Sequence, residues 1–367
     1  MDPYFPDELS VQNLDYSRLI TLVGSANAEL ARYDGMLQGI VNPAIMLSPL
    51  TTEEAVLSSK IEGTQATVDE VLEQEAGMIK TGEKYNDIME IVNYRNALRN
   101  AHDYLSDRPI TLSFVRELHK ILLDSVRGKD KTPGEFRNEQ NWIGNFGCDI
   151  EHASFVPPNP IALQEYLDAW QRYLAFDDKD FLIQTAIMHA QFEMLHPFKD
   201  GNGRIGRILI PLFLFQKKKL SQPMFYLSAY LEAHREEYYR HLQNISRDGE
   251  WNGWIEFFLN AIVEQSKENS RKVKAIMELY DNMKTRIHET THSQFSMKVL
   301  DAIFNHPIFK TTDFVNETGI QKQTALGILR HLKEAGILTE LLASSGRRPA
   351  VLCFRSLINI AEGREIV

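Results

Sequence analysis

Apolar residues recur at helical spacing along most of the chain, as at Phe181, Ile183, Ala186, Ile187, Ala190 and Leu195, and few stretches alternate with period two. The pattern predicts a mainly α-helical protein. It breaks at 128–160, where GKDKTPGEFRNEQNWIGNFGCDIEHASFVPPNP is rich in Gly, Asn and Pro, and this segment reads as a long loop carrying a small hairpin. A second break comes near 285–297, where RIHETTHSQFSM loses its apolar period after a long helix around 254–284; it reads as a linker. Beyond it the chain predicts helices at 296–306, 311–318 and 321–335, the first stopped by Pro307 and the last by Gly336. Two strands follow in LTELLASSGRRPAVLCF, joined at Ser344–Pro349. Three helices and a β-wing are the layout of a winged helix-turn-helix.

The 367 residues suggest two or three domains at about 150 residues each, and 43% hydrophobic with 25% charged residues is ordinary globular composition. A net charge of -10 argues against a protein whose whole surface grips nucleic acid. The charge is uneven, because nine Lys and Arg against seven Asp and Glu leave 293–367 at +2. Cys148 and Cys353 form no C-x-x-C pair, which fits a reducing compartment, and the acidic start MDPYFPDELS lacks the basic n-region of a signal peptide. The most apolar stretch, IGRILIPLFLFQ, holds Arg207 and falls short of the roughly 20 residues that cross a bilayer. A cytoplasmic protein without a membrane anchor is expected.

Candidate chemistry concentrates in His196-Pro197-Phe198-Lys199-Asp200-Gly201-Asn202-Gly203-Arg204-Ile205-Gly206-Arg207, between a helix ending near Leu195 and another starting about Asn202. A Gly-Asn-Gly segment opening a helix turns successive backbone N–H groups toward one concavity, and the helix dipole adds positive potential, which suits a phosphate chain. Arg204 and Arg207, three apart on one face, can clamp terminal phosphate oxygens. Asp200 is a hard oxygen ligand through which Mg2+ can bridge to those phosphates, and His196 supplies a base with a pKa near neutrality. Together these are parts of a nucleotidyl-transfer site. Taken singly, each residue could be a turn former or a solvated charge.

The twelve positions jointly resemble the signature H-x-F-x-[D/E]-G-N-G-R-x-x-R of the Fic family, and every fixed position is matched. The resemblance implies transfer of AMP from ATP to a protein hydroxyl with pyrophosphate leaving. His196 would deprotonate a Ser, Thr or Tyr hydroxyl, Asp200 would hold Mg2+, and Gly201, Asn202 and Gly203 would cradle phosphates. Arg204 and Arg207 would hold the β and γ phosphates, with Ile205 and Gly206 between them in the nucleotide site. Upstream, Thr51 and Glu54 form a capping box, and the helix it opens runs to Glu62 before Gly63 stops it. Ser58-x-x-x-Glu62-Gly63 resembles the family's inhibitory motif, which implies that Glu62 pairs with Arg207 and that an inhibitory helix lies at about 51–62. Pro133–Arg137 resembles the family's G-x-F-R element, and Asn141–Pro158 takes the place of its flap, whose edge would pair with a target segment. Tyr230 and Tyr239 fall where relatives build the adenine pocket.

The domains expected on this reading are an N-terminal helical region at 1–110, a catalytic domain at 111–290 and the winged helix at 293–367. The expected partners are ATP and a target protein docked on the flap 141–158, with a homodimer and DNA contact through 293–367 left open. A de-AMPylase, another Fic-type phospho-transfer and a DNA-binding regulator with a vestigial site remain alternatives, as does a protein-interaction role for the winged helix. His288-Glu289-Thr290-Thr291-His292 matches H-E-x-x-H, but its polar flanks and place in the linker argue against a zinc site. His189, among apolar neighbours, reads as a core histidine.

Overall fold

The computed structural model describes residues 2–78, 82–124, 129–144 and 147–365. In chain order the first helices are α1 (Tyr16–Gln38), α2 (Pro43–Met46), α3 (Ser48–Ile61), α4 (Val68–Glu75), α5 (Glu83–Leu105) and α6 (Leu112–Leu122). After a long loop come α7 (Pro160–Ala175), α8 (Phe181–Leu195), α9 (Asn202–Gln216), α10 (Ser228–Ala233), α11 (Arg235–Asp248) and α12 (Trp251–Thr291). The chain ends with α13 (Ser296–Asn305), β1 (Ile308–Lys310), α14 (Thr311–Thr318), α15 (Lys322–Glu334), β2 (Thr339–Leu342), β3 (Val351–Cys353) and α16 (Arg355–Glu362). The mainly helical expectation holds, and no described helix is long and apolar enough to cross a membrane.

The chain divides into two compact units. The first comprises residues 1–35, 57–63 and 92–267, and the second residues 36–56, 64–91 and 268–367. In the first unit α8 is buried nearly all round, as a helix apolar on every side must be, and it packs on α7, α9 and α11. Trp170 and Trp254 enter this core without stranding their indole N–H groups, which donate to the carbonyls of Met188 and Ala186 at 2.9 Å. The second unit holds the antiparallel sheet β1-β3-β2, whose registers pair Phe309 with Leu352 and Glu340 with Leu352. Here α4 packs on β1 and α16, and α2 packs on α13.

The expected helices α13, α14 and α15 and the two strands β2 and β3 are present, with β1 and α16 added. Three boundaries differ from the sequence reading. The helix expected to open at Thr51 starts at Ser48, because the Thr51 and Thr52 hydroxyls donate back to the carbonyls of Leu47 and Ser48 and so lie inside the helix; the capping box forms instead at Thr67 and Glu70. The linker at 285–297 is helical as far as Thr291, since buried Ile276, Met283 and Ile287 carry the apolar face of α12 onward. His292 then leaves the helix at φ +48°, so the H-E-x-x-H pattern does not lie on one helical face. Of the hairpin expected within 128–160, the described residues show one bridge, Ile143 with Phe155, and flap positions Asn145 and Phe146 lie outside them.

Candidate active site

The site is built where α8 hands over to α9. His196 caps α8 in the left-handed region at φ +45°, which turns the chain sharply enough to present residues 196–201 as one loop. Asn202 closes that loop. Its side chain accepts from the Phe198 N–H at 2.8 Å and donates to the Phe198 carbonyl at 2.9 Å. Gly201, at φ +77°, is the N-cap of α9 and brings no side chain to the helix N-terminus, whose dipole favours an anion.

The imidazole of His196 is half-buried, and its Nδ1 faces the Glu193 carbonyl at 3.3 Å. A carbonyl only accepts, so Nδ1 carries the proton and Nε2 keeps the lone pair. Burial pushes the ring down to about 4, opposed by the Glu193 carbonyl and by the Glu62 charge, so the ring is neutral near pH 7. Its backbone is held by Arg137 of the Gly134–Arg137 loop, whose Nε donates to the His196 carbonyl at 2.9 Å and whose Nη2 donates to the Pro158 carbonyl at 2.6 Å. One buried guanidinium thus ties the His196 turn to the end of the flap segment. Asn141 adds a bond to the Phe198 carbonyl at 3.1 Å.

Asp200 stands at the rim with its side chain 47% exposed. One oxygen accepts from the Gly201 N–H at 2.6 Å and lies 3.5 Å from Arg204 Nη2. Arg204 and Arg207 both point inward and are almost wholly buried. Arg207 donates through Nε to Ser58 Oγ at 2.8 Å, and through Nη2 to the Ser58 carbonyl at 2.9 Å and to Glu62 Oε1 at 2.6 Å. Glu62 follows the end of α3 and its side chain is 35% exposed. Burial alone would raise its carboxyl, but Arg207 and Arg204 hold it below its ordinary value. A Cβ on Gly203 would overlap Glu62 Oε1 and crowd Arg207 Nη1. The Glu62 carboxylate therefore lies against the first turn of α9 and on the guanidinium at once.

Tyr239 sits close enough for Glu62 and Arg207 to act on its phenol, whereas Tyr230 stacks on His234 at 4.1 Å and is influenced by Glu237 and Glu264. Three side chains reach this region that the sequence reading did not select. Glu193 Oε1 is buried without a hydrogen-bond partner and crowds Gly206, where a Cβ would overlap it; burial lifts this carboxyl to about 8. Tyr238 bonds His189 Nε2 at 2.9 Å, while His189 Nδ1 faces the Gly206 carbonyl at 3.1 Å, so His189 is a fully paired core residue. His119, from α6, reaches beneath the Asp200 turn.

A helical domain with this loop between its two central helices defines the class to which the chain is assigned: it belongs to the Fic/DOC family. The family's N-terminal description matches residues 20–103, its central description matches 109–214, and the C-terminal domain of SoFic-like protein adenylyltransferases matches 279–347. The chain is 28% identical over 189 residues to "Protein adenylyltransferase Fic" of Aedes aegypti, covering 48% of this chain and 32% of that one. It is 27% identical over 191 residues to a probable protein adenylyltransferase of Aquifex aeolicus, covering 52% of this chain and 56% of that one. The chain thus spans less than two thirds of the length of either relative. Its fold is shared with a Fic family protein from Desulfovibrio desulfuricans G20, with a TM-score of 0.59 at 18% identity, over 96% of this chain and 98% of that one.

Proposed function

We propose that the chain is a protein adenylyltransferase that moves AMP from ATP to Ser, Thr or Tyr hydroxyls of target proteins and of itself, and that Glu62 holds this activity low. The observation that carries the reading is the Glu62 carboxylate seated on Arg207 and against Gly203. An internal anion occupies the place for which a terminal phosphate would compete.

In the proposed reaction the target hydroxyl oxygen attacks the α phosphorus, the bond from that phosphorus to the bridging oxygen breaks, and pyrophosphate leaves. The hydroxyl proton passes to His196 Nε2, the ring nitrogen left unprotonated by the Glu193 contact. Arg204 and Arg207 neutralise the β and γ phosphates, and the N–H groups of Asn202 and Gly203, in the first turn of α9, would line the phosphate path. Asp200 fits Mg2+ by its chemistry: it is an exposed carboxylate at the mouth, and Mg2+ is usually held by one or two carboxylates with phosphates and waters rather than by an all-protein cage. Bound there, the ion would neutralise phosphate charge. Tyr239, beside Glu62 and Arg207, has better support as an adenine contact than Tyr230. Exposed Trp142 and Ile143 support target docking along the flap.

Incubating Glu62→Gly with α-labelled ATP, Mg2+ and a cell lysate tests the reading. Label on the chain and on target bands is expected; labelling no stronger than with the unsubstituted chain would overturn it. A second role is favoured for 293–367 by its exposed cationic and polar groups: Lys322, Gln323 and Thr324 open α15, and Arg347 and Arg348 sit at the β2–β3 turn. We infer that this segment is a winged helix that contacts DNA through them.

A further inference from the structure

We propose that His119 is a positioning residue that sets the orientation of the Asp200 carboxylate by gripping the Asp200 backbone. His119 lies on α6, outside the signature, with its side chain fully buried. Its Nδ1 accepts from the Gly134 N–H at 2.9 Å, and its Nε2 lies 3.0 Å from the Asp200 carbonyl. Because one neighbour only donates and the other only accepts, the ring is locked as the Nε2–H tautomer. It cannot turn either, since it stacks on Phe198 with centroids 3.7 Å apart and planes 8° from parallel.

The ring is the floor of the turn. Gly201 lies directly over it, and a Cβ there would come within 3.6 Å of the imidazole and 3.3 Å of Leu122. Gly134 is gripped from both sides, its N–H by His119 and its carbonyl by Arg116 Nε at 2.6 Å. Three residues on, Arg137 holds the His196 carbonyl. His119 therefore connects the backbone of the Asp200 turn to the loop that anchors His196. Asp200 itself is exposed, so the direction of its carboxylate depends on the 200–201 peptide, and the Nε2–H bond is a side-chain restraint on that peptide.

This inference rests on the reading that Asp200 holds a divalent ion. The test uses full-length Glu62→Gly protein as parent and adds His119→Gln or His119→Asn. Glutamine can still place an N–H near the Asp200 carbonyl but loses the acceptor for Gly134. Asparagine keeps that acceptor and loses the donor. A purely structural histidine would be damaged about equally by both, or more by glutamine, which strands a buried N–H. With a non-hydrolysable ATP analogue present, Mn2+ titration followed by electron paramagnetic resonance should give a half-saturation near the parent's for His119→Gln and about tenfold or more higher for His119→Asn. Equal Mn2+ affinities in the two variants would overturn the inference. A second readout needs no change at His119: 15N chemical shifts of the parent should report the Nε2–H tautomer for His119, and an Nδ1–H tautomer would also sink it. If the parent binds no Mn2+ in the presence of nucleotide, the metal role of Asp200 fails first, and that failure is read in a different sample.

Discussion

Replacing Glu62 by glycine removes the carboxylate that, among the described residues, bonds Arg207, and on the proposed function the size of the effect follows from the geometry. The Arg207–Glu62 bond is charge-assisted at 2.6 Å, a kind worth about 1.5–3 kcal/mol, and the 35% exposure of the Glu62 side chain places it at about 1.5–2 kcal/mol. Were a terminal phosphate to share the same guanidinium, the two anions on it would stand roughly 4–5 Å apart. At an effective dielectric of about 20 that repulsion is about 3–4 kcal/mol for unit charges, and solvent screening roughly halves it. The sum, about 3–4 kcal/mol, corresponds to roughly two to three orders of magnitude in productive ATP use. Transfer of α-phosphate label onto the chain and onto lysate proteins, followed as initial rates, measures it. Glu62→Gln, which keeps the size and loses the charge, should fall between the wild type and Glu62→Gly. Glu62→Gly combined with Arg207→Ala should stay inactive, because the same guanidinium serves both states. Wild-type rates in Glu62→Gly would refute the inhibitory reading, and wild-type rates in Glu62→Gln beside a fast Glu62→Gly would refute its electrostatic basis.

His196→Ala should abolish transfer while leaving the ATP dissociation constant nearly unchanged, because a base acts on the incoming hydroxyl; calorimetry showing affinity lost in step with rate would contradict this. Burial raises the Glu193 carboxyl to about 8, so the folded state carries an extra proton between the unfolded value of 4.5 and 8, and stability is lost as pH rises through that window. Glu193→Gln should therefore gain on the wild type by up to about 3–4 kcal/mol between pH 5 and 9, read as a widening difference in thermal midpoint, and a constant difference would refute it. If α15 meets DNA, gel shifts with the full chain should weaken as salt is added, and alanine at Arg347 and Arg348 should lower the salt slope. No shift at low salt would assign the segment to protein contacts.

The signature was legible because its residues are contiguous and each residue type has one chemical use at that spacing. The boundaries of α13 and α15 were legible through the stops at Pro307 and Gly336. His119 and Glu193 were not, since His119 lies on α6 between Leu118 and Lys120, far from the signature in sequence, and Glu193 lies in the apolar α8, and only the packing of α6, α8 and α9 brings them to the loop. The start of α3 was misread because threonine hydroxyls bond equally well forward as caps and backward to a carbonyl four residues earlier, and here they do the latter. The extension of α12 to Thr291 hangs on Ile287, a single buried residue among polar ones, too thin a periodicity to detect. Strand β1 spans three residues and is recognisable only by its partner β3.

The buried guanidinium of Arg207 has a consequence for the lifetime of an activated enzyme. Its side chain is 1% exposed, and its Nε and Nη2 donate to Ser58 and Glu62. Once Glu62 is gone, a cation in a low-dielectric site has lost its counter-charge, and nucleotide becomes its replacement. On the proposed function, a chain without Glu62 would gain stability with the logarithm of the ATP concentration once that exceeds its dissociation constant, through the mass action of a ligand that binds only the folded form. If the proposed function holds, withdrawing ATP would shorten the lifetime of a chain that lacks Glu62 more than that of the unsubstituted chain, so the amount of the active form would follow nucleotide supply with no separate sensor.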